Sequence, residues 1–248
     1  MFKKIGNPEI RFIAHTPGLE NEKELLPVPS KKYYPSWWKD IPTYLDEIDT
    51  DTGLKWGTIK KCPALPDFFS SGYIIPMWQD YTGIFHNGKL IQHDQNTYGY
   101  NFPKWLLHPT TQFLDHVDIR IGDRKPEAIL KPCLPWQIIT DKGWSVLVLP
   151  LFYNFNPNYT LMPGIVDTDI NHQINLPHII HSNQTNVTFK KGDPFAMIIP
   201  FKRNSYNYRI LKKDNEMAKF LKDQNNKWWN GRFDGNSYRK MQKERDSE

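Results

Sequence analysis

The sequence of 248 residues has few cysteines and no long hydrophobic run. Its two cysteines, Cys62 and Cys133, each lie beside a proline with no second thiol nearby, so the sequence indicates neither a disulfide framework nor a zinc site. No stretch approaches the roughly 18 apolar residues of a membrane span, and the N-terminus lacks the apolar region of an export signal. We therefore predict no membrane contact and a cytoplasmic location.

The signature motifs of several common enzyme classes are also missing. The chain has no P-loop, no dinucleotide-binding glycine fingerprint, no G-x-S-x-G elbow and no H-E-x-x-H helix. The sequence therefore gives no support to the ATPases, dehydrogenases, serine hydrolases or zinc proteases that carry these motifs.

Aromatic residues and proline, in contrast, are abundant. Aromatic residues make up 14% of the chain, and there are 20 prolines. Because proline breaks helices and is excluded from central strands, this composition predicts many short strands joined by structured loops. We expect a mainly β fold, a barrel or a sandwich, with three parts: an extended aromatic N-terminal arm over residues 1–58, a β-rich core domain over 59–203, and a basic helical tail over 204–248.

Turn signals and periodicity predict individual elements. The dipeptide at positions 87–88, Asn-Gly, predicts a β-hairpin over Gly83–His93, since this pair favours the tightest hairpin turns. Alternation of polar and apolar residues predicts a strand over His116–Ile121. A helical pattern with Asp214 as its N-cap predicts a C-terminal helix over Asn215–Trp228.

Two motifs in the region 141–203 resemble a known family. They are PGIVDTD at Pro163–Asp169 and KKGDPFAMIIPF at Lys190–Phe201. In order and spacing they resemble the G-V-I-D-x-D-Y and K-K-G-D-x-I-A-Q-L-I strands of the trimeric deoxyuridine triphosphatases, which have a β-clip fold. The resemblance implies a β-clip-like core, a homotrimer and a general base at Asp167 that activates water; Asp169 matches the second aspartate of the family motif.

The chain departs from that family where the family holds phosphates. After Pro150 the family has Arg-Ser-Gly, whereas this chain has the segment 151–153, Leu-Phe-Tyr, which offers a phosphate no cation and no small hydroxyl. We therefore expect a binding or assembly module without an intact nucleotide-hydrolase site, in which Asp167 and Asp169 are turn or strand-end carboxylates. A divergent nucleotide hydrolase that uses Asp167 is an alternative.

Over most of its length the chain also resembles an uncharacterised protein family of marine phages and some bacteria. The marks of that resemblance are SWWKDIP at Ser36–Pro42, KCPALPDFFSSGYIIPMW and PWQIITDKGWS. The resemblance implies a phage-type origin, with the host cytoplasm as the compartment, and it carries no known activity.

A second enzyme class is suggested by the His-Val-Asp sequence at positions 116–118. Alternate residues of a strand share a face, so His116 and Asp118 would begin the two-histidine, one-carboxylate site of a non-haem iron oxygenase on a jelly roll. His172 is the candidate for the distal histidine, and His178 and His181 are alternatives for the same position.

Such an oxygenase would also need a cation for its cosubstrate. Arg203 and Lys191 are the candidates for binding the carboxylate of 2-oxoglutarate. Fe(II) is the cofactor of this alternative alone, and for a binding module the sequence specifies no cofactor.

The charge of the chain is concentrated near its C-terminus. The net charge is +5, and residues 202–248 hold thirteen basic and seven acidic residues. Such a tail predicts contact with nucleic acid or an acidic partner, or else a solvated helix. Our leading hypothesis is a β-clip-like binding or assembly module whose aromatic arm and basic helix contact a protein partner or further copies of the chain.

Overall fold

The computed structural model describes residues 8–51, 53–86, 89–103, 105–116, 128–154, 156, 158–181, 186–212, 214–234 and 242–244. It is mainly β with several antiparallel sheets and a C-terminal helix, which confirms the predicted fold class. The described strands close no barrel. The chain divides into two compact units, the first made of Met1–Pro35 and Ser71–Arg203, the second of Ser36–Ser70 and Asn204–Glu248.

The described strands are β1 (Ile10–Ala14), β2 (Val28–Pro29), β3 (Tyr44–Ile48), β4 (Lys55–Gly57), β5 (Tyr73–Pro76), β6 (Asp80–His86), β7 (Lys89–Asn96), β8 (Leu106–His108), β9 (Ala128–Lys131), β10 (Trp136–Thr140), β11 (Trp144–Leu149), β12 (Tyr159–Leu161), β13 (Gly164–Val166), β14 (His178–Ile180), β15 (Asn186–Phe189) and β16 (Pro194–Lys202). The α-helices are α1 (Ser36–Asp40), α2 (Ala64–Phe69) and α3 (Asn215–Asp234). Short 3-10 helices cover Leu19–Asn21, Lys23–Leu25, Ser30–Lys32, Ile59–Lys61, Thr110–Gln112 and Leu114–His116.

A five-stranded sheet lies at the centre of the first unit, in the order β13-β11-β16-β5-β2. Its strands β11 and β16 pair antiparallel from Trp144 opposite Lys202 to Leu149 opposite Met197. Both strands are rich in β-branched and other apolar residues, which suits a sheet buried against the core. This pairing places the start of β11 beside the end of β16.

The turn before β5 depends on a glycine. Gly72 has φ of +77°, and a Cβ atom at this position would lie 2.1 Å from the carbonyl oxygen of Ile198 in the neighbouring strand β16. Only a residue without a side chain combines this left-handed backbone with so close an approach. The glycine therefore fixes how β5 enters the sheet.

Three further sheets complete the first unit. They have the orders β12-β14-β9-β8, β15-β6-β7 and β1-β10. Strands β6 and β7 pair antiparallel, which confirms the predicted hairpin, although its turn at positions 87–88 lies outside the described residues. The core between these elements contains a dense aromatic cluster, which consists of Trp78, Tyr81, Trp105, Tyr159, His178, Phe189 and Phe195.

The second unit contains α1, the hairpin formed by β3 and β4, α2 and α3. Trp38 of α1 packs edge-on against Phe69 of α2, with ring centroids 5.3 Å apart. The N-cap of α3 is Asp214, as predicted, because its Oδ1 accepts a hydrogen bond of 2.8 Å from the backbone N–H of Met217. In the described ranges no helix combines the length and the apolar character needed to cross a membrane.

Two local predictions differ from the structure. His116 ends a 3-10 helix and does not begin a strand, and the rest of the strand predicted after it lies outside the described residues. Residues 36–57, which the sequence places in an extended arm, hold α1 and the β3–β4 hairpin.

Candidate functional site

The structure brings Asp167, Asp169 and Arg203 together at one edge of the five-stranded sheet. Both aspartates lie in the turn after β13, whereas Arg203 directly follows β16. Strand β11 lies between β13 and β16 in the sheet, and it brings Gly143, which precedes it, and Ser145, its second residue, to the same place. We call these five residues the Arg203 cluster.

Asp169 forms a two-pronged ion pair with Arg203. Nη1 of Arg203 donates to Oδ1 of Asp169 at 2.9 Å, and Nη2 donates to Oδ2 at 2.6 Å. The backbone N–H of Gly143 donates a third hydrogen bond to Oδ2, at 2.8 Å. The hydrogen bonds from Arg203, followed by that from Gly143, lower the pKa of Asp169 to about 2. This carboxylate is therefore ionised and fully engaged near neutral pH.

Asp167 belongs to the same network but is more open to solvent. The hydroxyl of Ser145 donates to its Oδ1 at 2.6 Å, and Nη1 of Arg203 lies 3.1 Å from the same oxygen. Arg203 Nη1 also donates to the backbone carbonyl of Trp144, at 3.1 Å. The cluster thus ties together the ends of three neighbouring strands by means of one guanidinium group.

Lys191, the other predicted cosubstrate-binding cation, lies in a different group of residues. Its Nζ is 2.8 Å from a carboxylate oxygen of Glu24 and 3.4 Å from one of Glu22, and it lies 4.6 Å from the ring centroid of Tyr98. The hydrogen bond to Glu24 is the main reason that the pKa of Lys191 is raised. Lys191 therefore joins the loop before β16 to the 3-10 helices near the N-terminus.

The predicted iron ligands are placed only in part. His116 is exposed at the end of its 3-10 helix, Asp118 lies outside the described residues, and Nδ1 of His172 donates to the carbonyl oxygen of Thr168 at 3.0 Å. Where the structure describes the chain, it shows no group of three or more histidine, cysteine, aspartate or glutamate side chains that would hold a metal ion. The iron site stays a prediction.

His178, an alternative iron ligand, is buried in the aromatic core. Its ring stacks on Phe195 with centroids 4.4 Å apart, and its Nδ1 donates to the carbonyl oxygen of Leu176 at 2.6 Å. Its Nε2 has no hydrogen-bond partner among the described residues. Burial lowers the pKa of His178 to about 3, so the ring is neutral at physiological pH.

The segment 151–153 has an unusual backbone conformation at Tyr153, whose φ is +69°. Tyrosine seldom adopts this left-handed conformation, which glycine adopts freely. The three residues of the segment include no cation that would pair with a phosphate.

A cavity of about 460 Å³ lies in the first unit and was not predicted from the sequence. Its walls come from β8 and β9, from the 3-10 helix before Phe113, and from the segment 171–177 that leads into β14. The described lining residues are His108, Gln112, Phe113, Ile129, Lys131, Met162, Val166, Asn171, Gln173, Ile174, Asn175 and Pro177. The sequence signal that marks it is the alternation of amide residues with buried Ile174 and Leu176.

No model of a known protein family matches the chain, and no curated protein matches it significantly. The two family resemblances therefore stay predictions, as does nucleic-acid binding by the basic tail.

Proposed function

We propose that the protein is a binding or assembly module of the phage-type family that it resembles, and that it associates with further copies of itself through the second unit. The observation that carries this proposal is the β3–β4 hairpin. Every residue of both strands is exposed, although the hairpin contains large apolar side chains such as Leu45, Ile48 and Trp56. Exposed apolar groups of this size that lie close together are typical of protein interfaces.

The segment 204–212, which follows the Arg203 cluster, also exposes large apolar side chains. It forms no helix or strand, yet it carries apolar residues at every second position, as a strand does. Tyr206, Tyr208 and Ile210 have exposed fractions of 82%, 88% and 92%. The segment therefore has the pattern of a strand, and among the described residues neither the segment nor the outer edges of the two-stranded hairpin pair with a further strand.

Charge supports the pairing of these two elements. The hairpin and its turn carry four acidic residues and one basic residue between positions 44 and 57, whereas the segment 204–212 carries Arg209 and Lys212 and no acidic residue. Addition of an extended segment to an exposed sheet edge is a common mode of protein recognition, and opposite charges favour the encounter. A second copy of the chain supplies both elements at once.

The geometry of the Arg203 cluster supports a binding module over a nucleotide hydrolase. A general base needs a carboxylate oxygen free to accept a proton from water. Asp169 accepts three hydrogen bonds, and Oδ1 of Asp167 is engaged by Ser145 and Arg203, so that within this pair of aspartates only Oδ2 of Asp167 is left for that role. The guanidinium group of Arg203, the cation of the cluster, is engaged by these two carboxylates.

We place this assembly in the cytoplasm. Neither Cys62 nor Cys133 forms a disulfide, which suits a reducing compartment. The resemblance to the deoxyuridine triphosphatases suggests three copies. A measurement of the mass of the assembly would give the number of copies.

The proposal is tested by measuring the mass of the full chain by light scattering across a range of protein and salt concentrations. We expect association that weakens as salt screens the charges. The double variant Tyr206→Asp, Tyr208→Asp should be monomeric. Its matched control, Ser205→Asp with Asn207→Asp, adds the same charge to the other side of the extended segment and should still associate.

A charge exchange identifies the partner surface. A chain with Arg209→Glu and Lys212→Glu should not associate alone, and neither should one with Glu47→Lys and Asp51→Lys. A mixture of the two should form heteromers, because the opposite charges are restored between copies. A wild-type chain that is monomeric at every concentration would refute self-assembly, whereas association that survives all of these changes would refute this surface.

A further inference from the structure

The cavity of about 460 Å³ in the first unit has an ordered polar wall. This wall is the segment 171–177, whose backbone is held by hydrogen bonds on both sides of Cys133. Leu134 donates to the carbonyl oxygen of Ile174 at 2.9 Å, and Leu176 donates to that of Pro132 at 2.9 Å. The segment is thus held like a strand, and along it the buried Ile174 and Leu176 alternate with less buried amide side chains.

This alternation sends a row of amides into the cavity. Ile174 and Leu176 are buried, and Ile174 also forms part of the cavity lining, to which Asn171, Gln173 and Asn175 contribute the polar groups. Nε2 of Gln173 donates to Sγ of Cys133 at 2.9 Å, which engages the amide nitrogen and leaves the amide oxygen as an acceptor. The row therefore offers both donors and acceptors at fixed positions.

The part of the lining that comes from β8, β9 and the 3-10 helix before Phe113 adds one cation and one further amide. In strand β9, Ile129 and Lys131 line the cavity, while Ala128 and Leu130 face the core. His108 pairs with Ile129 across the β8–β9 ladder, and its Nδ1 donates to the amide oxygen of Gln112, so that the amide nitrogen of Gln112 is left as a donor. Lys131 forms no ion pair with any residue in the described ranges, and the described lining contains no carboxylate.

The rest of the lining is apolar. Phe113, Met162 and Pro177 provide flat or adaptable surfaces of the kind against which a ring packs. The volume lies within the range of small-molecule sites, roughly 300 to 1,000 Å³. A purely apolar ligand would leave the amides without partners. A ligand with several negative charges would find only one cation in the lining to pair with them.

From this combination we infer that the cavity binds a planar heterocycle that has hydrogen-bonding edges and a single carboxylate. The amides of Asn171, Gln173 and Asn175 recognise the edges of the ring, and Lys131 pairs with the carboxylate. Apolar surface on the other walls holds the faces of the ring.

Three small probes separate these contributions: orotate has both the imide edges and the carboxylate, uracil has the edges alone, and benzoate has the ring and the carboxylate alone. Calorimetric titration of the full chain should give the tightest binding for orotate, by about 10-fold over either of the others. Uracil lacks the carboxylate that pairs with Lys131, and benzoate lacks the ring edges that form hydrogen bonds with the amides. No measurable binding of orotate at millimolar concentration would overturn the inference.

Variants assign the contacts. Lys131→Met should lower the affinity for orotate about 10-fold and leave that for uracil unchanged, whereas Lys142→Met, at an exposed lysine outside the cavity lining, should change neither. Asn175→Leu, at an exposed side chain, should weaken uracil and orotate but not benzoate. Equal affinities for all three probes, or an orotate affinity unaffected by Lys131→Met, would refute the proposed ligand class.

Discussion

The five-stranded sheet and the β3–β4 hairpin are both antiparallel and both rich in large apolar residues, but they use them differently. In the sheet, Val146, Val148 and Ile198 are buried in the core of the first unit. In the hairpin, Ile48 and Trp56 are exposed. Burial within the chain contributes to its stability, whereas exposed apolar area is available to a partner.

The difference also explains why the hairpin is a poor candidate for independent stability. A two-stranded hairpin alone is marginally stable in water, and three strands or packing against another element are normally needed. The β3–β4 hairpin has a salt bridge of 3.1 Å between Lys55 and Asp46 and a cation–π contact between Lys61 and Tyr44. Exposed contacts of this type contribute little, so an added strand from another copy would stabilise it most.

The largest loss of stability is expected from Gly72→Ala in the sheet. The new methyl group would meet the carbonyl oxygen of Ile198, and alanine is strained at this positive φ. Together these effects should lower the free energy of unfolding by about 3 kcal/mol or more, measured by urea denaturation. Gly99→Ala is the matched control: it has a similar φ of +84° with nothing within 4 Å, and should cost about 1 kcal/mol. Equal losses would show that the contact with β16 is unimportant.

Acid should destabilise the core of the first unit through His178. Below its ordinary pKa of about 6.5 this histidine binds a proton in the unfolded chain, but in the folded chain it stays neutral down to about 3. Stability should therefore fall as the pH drops from 6.5, by up to about 1.4 kcal/mol per pH unit.

The variant His178→Phe keeps the stacking on Phe195 and removes the titration. Its free energy of unfolding, followed by urea denaturation between pH 6.5 and 5, should vary less with pH than that of the wild type. An unchanged slope would mean that another group causes the acid sensitivity.

The Arg203 cluster should respond in a lower pH range. Since its ion pair depresses the pKa of Asp169 to about 2, the contribution of this carboxylate is complete above the unfolded value near 4 and is lost as the pH falls from 4 to 2. Asp169→Asn should lower the melting temperature at pH 7 and reduce its dependence on pH between 4 and 2. Asp167→Asn, at the half-exposed carboxylate, should have the smaller effect of the two. The reverse order would contradict the assigned geometry.

The smallest effect on stability is expected in the hairpin. Ile48→Ser combined with Trp56→Ser removes exposed apolar area, so the free energy of unfolding of the monomer should change by no more than about 0.5 kcal/mol for each change. The same variant should lose self-association in light scattering. A large loss of stability without any change in association would mean that these residues belong to the core, as those of the five-stranded sheet do.

Sequence reasoning succeeded where burial leaves a one-sided pattern. The hairpin predicted over Gly83–His93 agrees with the pairing of β6 and β7, because β6 buries every second residue and a turn dipeptide separates the two strands. The β3–β4 hairpin was not predicted, since a hairpin exposed on both faces shows no alternation of polar and apolar residues. The position of an element relative to the core decides how much of it can be predicted.

Three of the five residues of the Arg203 cluster were predicted as site residues from the sequence, whereas Gly143, Ser145 and the contacts within the cluster were not. Asp167, Asp169 and Arg203 come from distant parts of the sequence, and only the order β13-β11-β16 brings them together. The location of His178 was also not evident from the sequence. The segment before it is polar, yet His178 lies in the core, because it shares the buried face of β14 with Ile180. Sheet order and facing depend on long-range pairing, which local pattern does not contain.

The ion pair of Arg203 with Asp169 has a geometric consequence for the assembly. Arg203 directly follows β16, where the chain leaves the five-stranded sheet, and its ion pair with Asp169 anchors the chain at this point. Beyond it, the segment 204–212 can reach at most about 30 Å when fully extended. If this segment pairs with the hairpin of another copy, its reach sets the largest distance between Arg203 and that hairpin. A deletion within the segment should therefore bring neighbouring copies closer together or prevent the assembly from forming.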